Sequence, residues 1–391
     1  MSSELLNGLL EGLYAAQQGL RALLHLVGSA PDLHGQPAWP LGYRIAAEML
    51  VVDAGHARRV LLSLLCAGVA VLAMGLSLPW RRARIPLWAA AIAVLVLAPW
   101  PQAHLLLTPA VPTSLHQSPT GFEATGIVRG QAVYRQHCVR CHGTDGRGEG
   151  AEAAQLAQWP PNLNGALLWK RLDGELFWRV REGMHNRVGV QTMPGVGNAL
   201  RDQEIWEVLD YLQAHAAGQM LRESGTWDRP VRLPGMAVHC RSGRPQQSRD
   251  LLGQRVRVAV AGPGVPPLAD DPRLVTLVAG PPASDADVEC WPDGGAEAVN
   301  QTLALVLGVP VAELPGYQLI VDRAGWLRAR GQPGKTAWSE DDLVCRSGTV
   351  LTAPADASVE KRSAAQGDGL EALIRRMDAE PVRLLRGGFP H

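Results

Sequence analysis

Two cysteines and a histidine stand together at Cys138-Val139-Arg140-Cys141-His142, and their spacing names a chemistry. On a helical turn, residues three apart share a face, so the two thiols can reach the two vinyl groups on one porphyrin edge and form thioethers. His142 follows at once and can turn its imidazole to an iron as a proximal ligand. The pentapeptide is therefore read as the attachment site of a c-type haem. A zinc ribbon would need a second cysteine pair at matching spacing, and the chain has none. A redox dithiol would not need the adjacent histidine. Only one such motif is present, so one covalently bound haem is expected.

The flanking residues extend this reading. From 125 to 216 the chain resembles a class I cytochrome c. Gly130 and Tyr134 match the family's Gly-x-x-x-aromatic pattern, in which a missing side chain lets the first helix cross closely over the last. The last helix is predicted over 202–215, with Ile205, Leu209 and Leu212 at helical spacing. The loop 143–148 is glycine-rich, which suits a backbone drawn against the porphyrin edge better than a phosphate cradle, since no strand precedes it. By the same resemblance the Pro161 carbonyl accepts the Nδ1 proton of His142, fixing the ring and raising its basicity. Met193, followed by Pro194, matches the family's sixth ligand. Met184 and His185 sit in a similar stretch and compete for that role. A neutral, soft thioether favours the ferrous state. With both axial positions filled, the resemblance implies a one-electron carrier and no enzyme, and removal of Met193 should open the iron.

The rest of the chain must position this centre. Lys+Arg and Asp+Glu both number 37, so the formal charge is +0 and nothing points to nucleic acid. Residues 1–30 alternate leucines with Glu4, Glu11, Gln17, Gln18 and Arg21, the pattern of an amphipathic helix that packs on protein or lies at a membrane surface. Residues 60–78 are uncharged and long enough to span a bilayer, and a second apolar run extends from 85 to about 107. Arg81, Arg82 and Arg84 between them favour a cytoplasmic turn, although Arg58 and Arg59 pull the other way. Both flanks of the anchor would then lie outside the cytoplasm, where c-type haem is attached. Residues 108–124 are rich in Pro, Ser and Thr and read as a linker. The stretch from Trp39-Pro40-Leu41 through both spans to Phe122 resembles the junction between a copper-resistance D-type membrane domain and a cytochrome c in fused bacterial proteins.

Residues 217–234 lack periodicity and read as a second linker. Beyond them, strands are predicted at 255–261, 274–278, 317–322 and 326–330, with helices at 299–307 and 370–377, an α/β pattern. Residues 316–325 resemble the late hairpin of thioredoxin-like proteins, including copper-assembly factors. Where that family keeps its active cysteines this chain has Gly262-Pro263-Gly264, so thiol chemistry does not carry over. Cys240, Cys290 and Cys345 allow one disulfide and one free thiol, with the pair left open.

The expected architecture is thus multidomain. It comprises an amphipathic segment (1–59), two transmembrane helices (60–107), a linker (108–124), an all-α class I cytochrome c domain (125–216), a second linker (217–234) and a thioredoxin-like α/β domain without active cysteines (235–391). The function expected is single-electron transfer on the periplasmic side of a bacterial inner membrane, as a subunit of a respiratory complex with redox partner proteins. The alternative is a copper-handling or complex-assembly factor whose haem senses redox state.

Overall fold

The computed structural model describes residues 3–46, 54–77, 84–102, 106–165, 171–227, 229–241, 243, 246–266, 268, 271–280, 289–335, 337–345 and 368–382. Arg81, Arg82, His104 and Pro267 lie outside the described residues. The chain divides into two units, one from residues 1–117 and 169–175 and the other from 118–168 and 176–384, apart from the extreme C-terminus.

In the first unit, helix α1 (Ser3–Leu26) presents the expected apolar stripe, and its middle packs on protein. Leu10 is buried with Ala57 and Val60, flanked by Leu9, Leu13 and Leu106. A short hairpin of β1 (Asp32–Leu33) and β2 (Gln36–Pro37) turns through His34 and Gly35, both at positive φ, as a two-residue primed turn requires. Strand β3 (Tyr43–Ile45) pairs antiparallel with β4 (Leu107–Pro109). Between them in the chain come helices α2 (Ala54–Ser77) and α3 (Arg84–Leu97). Within α2, Gly55–Ser77 is 23 residues and holds an 18-residue window of mean hydropathy 2.4, long and apolar enough to cross a membrane. Helix α3 has 14 residues, about 21 Å at 1.5 Å per residue, short of the roughly 30 Å hydrocarbon core. Of the second apolar run expected from 85 to about 107, the described helix ends at Leu97, just before Pro99 and Pro101 remove backbone donors.

The stretch expected as a linker before residue 124 is structured over its first half. Thr113, Ser114, Leu115 and His116 are all buried. Thr113 Oγ1 donates to the Gly174 carbonyl at 2.6 Å, and Gln18 and Arg21 of α1 both donate to the Leu115 carbonyl at 3.0 Å. Its Ser and Thr hydroxyls satisfy backbone groups inside a core, a role composition alone does not distinguish from solvation. Beside them, Arg44 Nε meets Glu175 Oε1 at 2.6 Å, with both side chains nearly removed from solvent.

The second unit begins with α4 (Ala124–His137) and the single turn α5 (Val139–His142), followed by α6 (Asp173–Glu182). An antiparallel hairpin of β5 (Gly183–His185) and β6 (Gln191–Pro194) leads into α7 (Asp202–Ser224). The crossing of α4 and α7 is as close as the glycine pattern implied, since a Cβ on Gly130 would fall 2.0 Å from the Glu207 carbonyl oxygen. Arg129 closes over this crossing onto buried Glu207, at 2.6 Å. Helix α7 does not end at 215. It runs on through the expected second linker to Ser224 and stops at Gly225, whose left-handed φ of 73° caps it. Ala214, Ala217 and Leu221 form a second apolar stripe on this helix, turned away from the haem-domain core.

That stripe packs against the C-terminal module. There, β7 (Val231–Arg232), β8 (Val238–Cys240), β9 (Val256–Val260), β10 (Val275–Ala279), β11 (Cys290–Pro292), β12 (Gln318–Val321) and β13 (Trp326–Gly331) make one mixed sheet in the order β7-β13-β12-β9-β10-β11-β8. Strands β9, β10 and β11 run parallel, while β12 and β13 are antiparallel to their neighbours. Helix α8 (Ala296–Leu307) covers one face and α9 (Gly369–Ala379) the other. Both faces are covered, so every residue of β9 is buried and its sequence shows no clean alternation. The α/β pattern holds as one seven-stranded mixed sheet, and the described residues between β9 and β10, where a thioredoxin-like sandwich would place a helix, contain none. Strands β7, β8 and β11 are too short for period-two patterning to reveal them.

Candidate functional site: a haem attachment turn

The turn at 138–142 is built by α4 running out. The Cys138 N–H still bonds to the Tyr134 carbonyl at 2.9 Å, and the His142 N–H bonds back to the Cys138 carbonyl at 2.9 Å. This places Cys138, Cys141 and His142 on one short helix. Both thiols are free and half-buried. Burial pushes the Cys138 thiol up to about 11, with the neighbouring Cys141 adding to the shift. Desolvation also lowers the pKa of His142, which keeps the imidazole neutral, the form that ligates a metal.

Around the turn stands an apolar wall. Tyr134, Leu163, Phe177, Trp206 and Leu209 belong to one buried cluster, with Cys138 and Val139 packed against it. Phe177 stacks on Trp206 at 4.5 Å between ring centroids, and Tyr134 tilts against Tyr211 at 5.2 Å. The Tyr134 hydroxyl donates to the Gly143 carbonyl at 2.8 Å, tying the helix to the loop that follows. Phe177 and Leu176 were missed from sequence; their placement on α6 beside Val180 at helical spacing was the available signal.

The glycine loop folds tightly on its own backbone. A Cβ on Gly148 would fall 2.3 Å from the Pro160 carbonyl, and one on Gly150 would fall 2.4 Å from the Arg140 carbonyl. These glycines let the loop fold onto its own backbone. The Leu163 N–H to Gly146 carbonyl bond at 2.7 Å and the Asn164 Nδ2 to Asp145 carbonyl bond at 2.6 Å then brace it.

His142 Nδ1 is buried and has no hydrogen-bond partner. The bond expected to the Pro161 carbonyl is therefore not made; Pro161 is exposed and its carbonyl faces Gly148. A histidine and two free thiols on one turn against an apolar wall are a donor set that suits a covalently attached haem. Met193 sits half-buried on β6, directly opposite Met184 on β5. His185, the third contender, is exposed.

Elsewhere, Cys240 and Cys290 face each other across β8 and β11 and form a disulfide, leaving Cys345 buried and free. This settles the pairing the sequence left open. It also removes two of the three C-terminal cysteines as metal thiolates. Among the described residues, no group of three or more His, Cys, Asp or Glu side chains is placed to hold a metal ion.

Residues 126–212 match the family described as cytochrome C oxidase, cbb3-type, subunit III. Over 146 residues the chain is 30% identical to a thiosulfate dehydrogenase of Stutzerimonas stutzeri (strain A1501), covering 36% of this chain and 41% of that protein. The chain thus spans about two fifths of that relative's length. Among solved structures, it is similar to a reducing HAO-like protein complex of Kuenenia stuttgartiensis at 20% identity and a TM-score of 0.22, over 32% of this chain and 58% of that one. Cytochrome cL from Hyphomicrobium denitrificans matches at 21% identity and a TM-score of 0.20, over 28% and 59%.

The thiosulfate dehydrogenase match corrects the expectation that the chain is no enzyme. A closed iron does not by itself make a protein a mere carrier. An oxidoreductase can draw electrons through a six-coordinate haem while its substrate is held elsewhere, because electron transfer does not need an open coordination position. With the geometry and the family match together, residues 126–212 form a cytochrome c domain, whose family implies a covalently bound c-type haem and a role in electron transfer.

Proposed function

We propose that this chain is a membrane-anchored c-type cytochrome with one haem, moving single electrons on the periplasmic side as the electron-carrying part of a respiratory oxidoreductase with redox partner proteins. The observation that carries this reading is the placement of the free thiols of Cys138 and Cys141 and of His142 on one short turn against an apolar cluster. When bound, the haem supplies a one-electron ferric–ferrous couple. Cys138 and Cys141 would hold it by thioethers, His142 and Met193 would ligate its iron, and Tyr134, Phe177 and Trp206 belong to the apolar cluster on which Cys138 packs.

Anchoring rests on α2, which contains a stretch of 23 residues, Gly55–Ser77, long and apolar enough to cross a membrane. The periplasmic side is supported by two independent chemistries, covalent haem attachment and the Cys240–Cys290 disulfide, since disulfides persist in oxidising compartments. The thiosulfate dehydrogenase match directs the search for an electron source to reduced inorganic sulfur compounds.

The test is to extract one sample of the purified protein with acid acetone and to mix a separate, native, oxidised sample with thiosulfate. The pigment should stay on the polypeptide, and the haem should become reduced at a rate that depends on thiosulfate. Pigment that washes out overturns the haem assignment. Retained pigment that stays oxidised overturns the sulfur substrate alone.

A further inference from the structure

From the hairpin register, we infer that Met184 is a second thioether ligand for the haem iron, held in reserve beside Met193; this rests on the haem reading above. In the β5–β6 ladder, Gly183 pairs with Pro194 and Met184 pairs with Met193. Directly opposed residues of an antiparallel pair project from the same face, with Cβ atoms about 5 Å apart. The two sulfurs therefore leave the hairpin on one side, and both side chains are half-buried. His185 follows a register irregularity and is exposed, which takes it off that face.

The hairpin cannot easily slip to separate them. Gly183, at φ 81°, lies so close that a Cβ would sit 2.5 Å from the Met193 carbonyl, and one on Gly195 would sit 2.6 Å from the Arg181 carbonyl. Thr192 Oγ1 adds a bond to the Met184 carbonyl at 3.2 Å. At the far end, Asn186 closes the loop by accepting from the N–H groups of Val188 and Val190 at 3.1 and 3.0 Å. A one-residue slip would send one methionine to the opposite face, and the glycine contacts oppose it. A thioether is flexible over three bonds, so a small shift of the Met184 side chain covers the distance between neighbouring cross-strand positions.

This changes what removal of Met193 should do. From sequence, that change opens the iron; with Met184 beside it, a sulfur ligand remains. The test compares wild type, Met193→Leu, Met184→Leu and the double variant in the oxidised full-length protein, read by the far-red sulfur-to-iron absorption. Leucine keeps volume while deleting sulfur. Pyridine haemochrome on each sample checks that covalent haem is present. The expected result is that both single variants keep at least half of the far-red absorption and the double variant loses it and turns high-spin. Complete loss in Met193→Leu with haem still attached overturns the reserve role, as does loss in Met184→Leu alone. A double variant that still shows the band overturns it too. No far-red band in the wild type overturns methionine ligation itself, and absence of covalent pigment overturns the haem reading beneath it.

Discussion

Gly218 on α7 and Leu305 on α8 meet backbone to backbone: a Cβ on Gly218 would lie 1.9 Å from the Leu305 carbonyl oxygen and 2.9 Å from the Gly308 nitrogen. Gly308 answers from the other side, at φ 68°, with its own missing Cβ 2.3 Å from the Gly218 carbonyl. One helix thus carries haem-domain residues on one stripe and docks the C-terminal sheet module with the other. Ile127, Ala217 and Leu221 share a continuous core with Val258, Leu303 and Leu319.

Gly218→Ala should therefore destabilise the second unit as a whole. The methyl group cannot fit without separating α7 from α8, and overpacking of this kind costs about 1–3 kcal/mol. Haem absorption and far-ultraviolet circular dichroism should report the same lowered midpoint in denaturant. Two separated transitions would show that the haem domain and the sheet module unfold independently.

The disulfide offers a second check. Cys240 and Cys290 are 50 residues apart, and the chain-entropy estimate for closing such a loop is about 4 kcal/mol. Replacing both with alanine should lower stability by roughly 2–4 kcal/mol, and a reducing agent should do the same to wild type but nothing further to the variant. Cys345 is buried, with its thiol pushed up to about 11 by desolvation, so it should react with a thiol reagent only on unfolding.

In the first unit, Arg44 and Glu175 form a buried pair. Arg44→Met alone leaves a carboxylate buried without its partner and should cost about 3–5 kcal/mol, read as a lower thermal midpoint in detergent. Arg44→Met with Glu175→Leu should recover much of that loss, because no buried charge remains. Ser114, which donates to Glu175 at 3.4 Å, stays beside the carboxylate in the single variant and offsets a small part of that cost.

Acid should weaken both units through histidines held neutral. His116 and His215 are each lowered to about 4, in both cases chiefly by desolvation. For His116 the Pro37 carbonyl opposes this and Arg21 and His34 add to it; for His215 Arg222 adds to it and Asp145 opposes it. An unfolded chain binds a proton on each histidine near pH 6.5 while the folded chain does not until about pH 4. Stability is thus full above 6.5 and falls between 6.5 and 4, by up to about 1.4 kcal/mol per pH unit per histidine. His215→Gln should flatten that slope in the second unit's denaturation midpoint. An unchanged slope would mean that His215 is protonated in the fold.

The haem turn and the membrane-length helix were legible from sequence because their information is contiguous. Thioether chemistry needs Cys138, Cys141 and His142 within one helical turn, and a span needs only an unbroken apolar run. Gly130 was readable too, since the family pattern records a helix crossing as a missing side chain. Tertiary structure decided the features that depend on residues distant in the chain. Residues 217–224 lack a clear period because α7 there buries a stripe against α8, and a glycine within it marks contact rather than a break. Pairing of Cys240 with Cys290 follows from β8 lying beside β11, and the facing of Met184 and Met193 follows from the register of a hairpin. Composition cannot encode which strands lie side by side. That is set by burying both faces of one sheet at once, which only the folded chain can do.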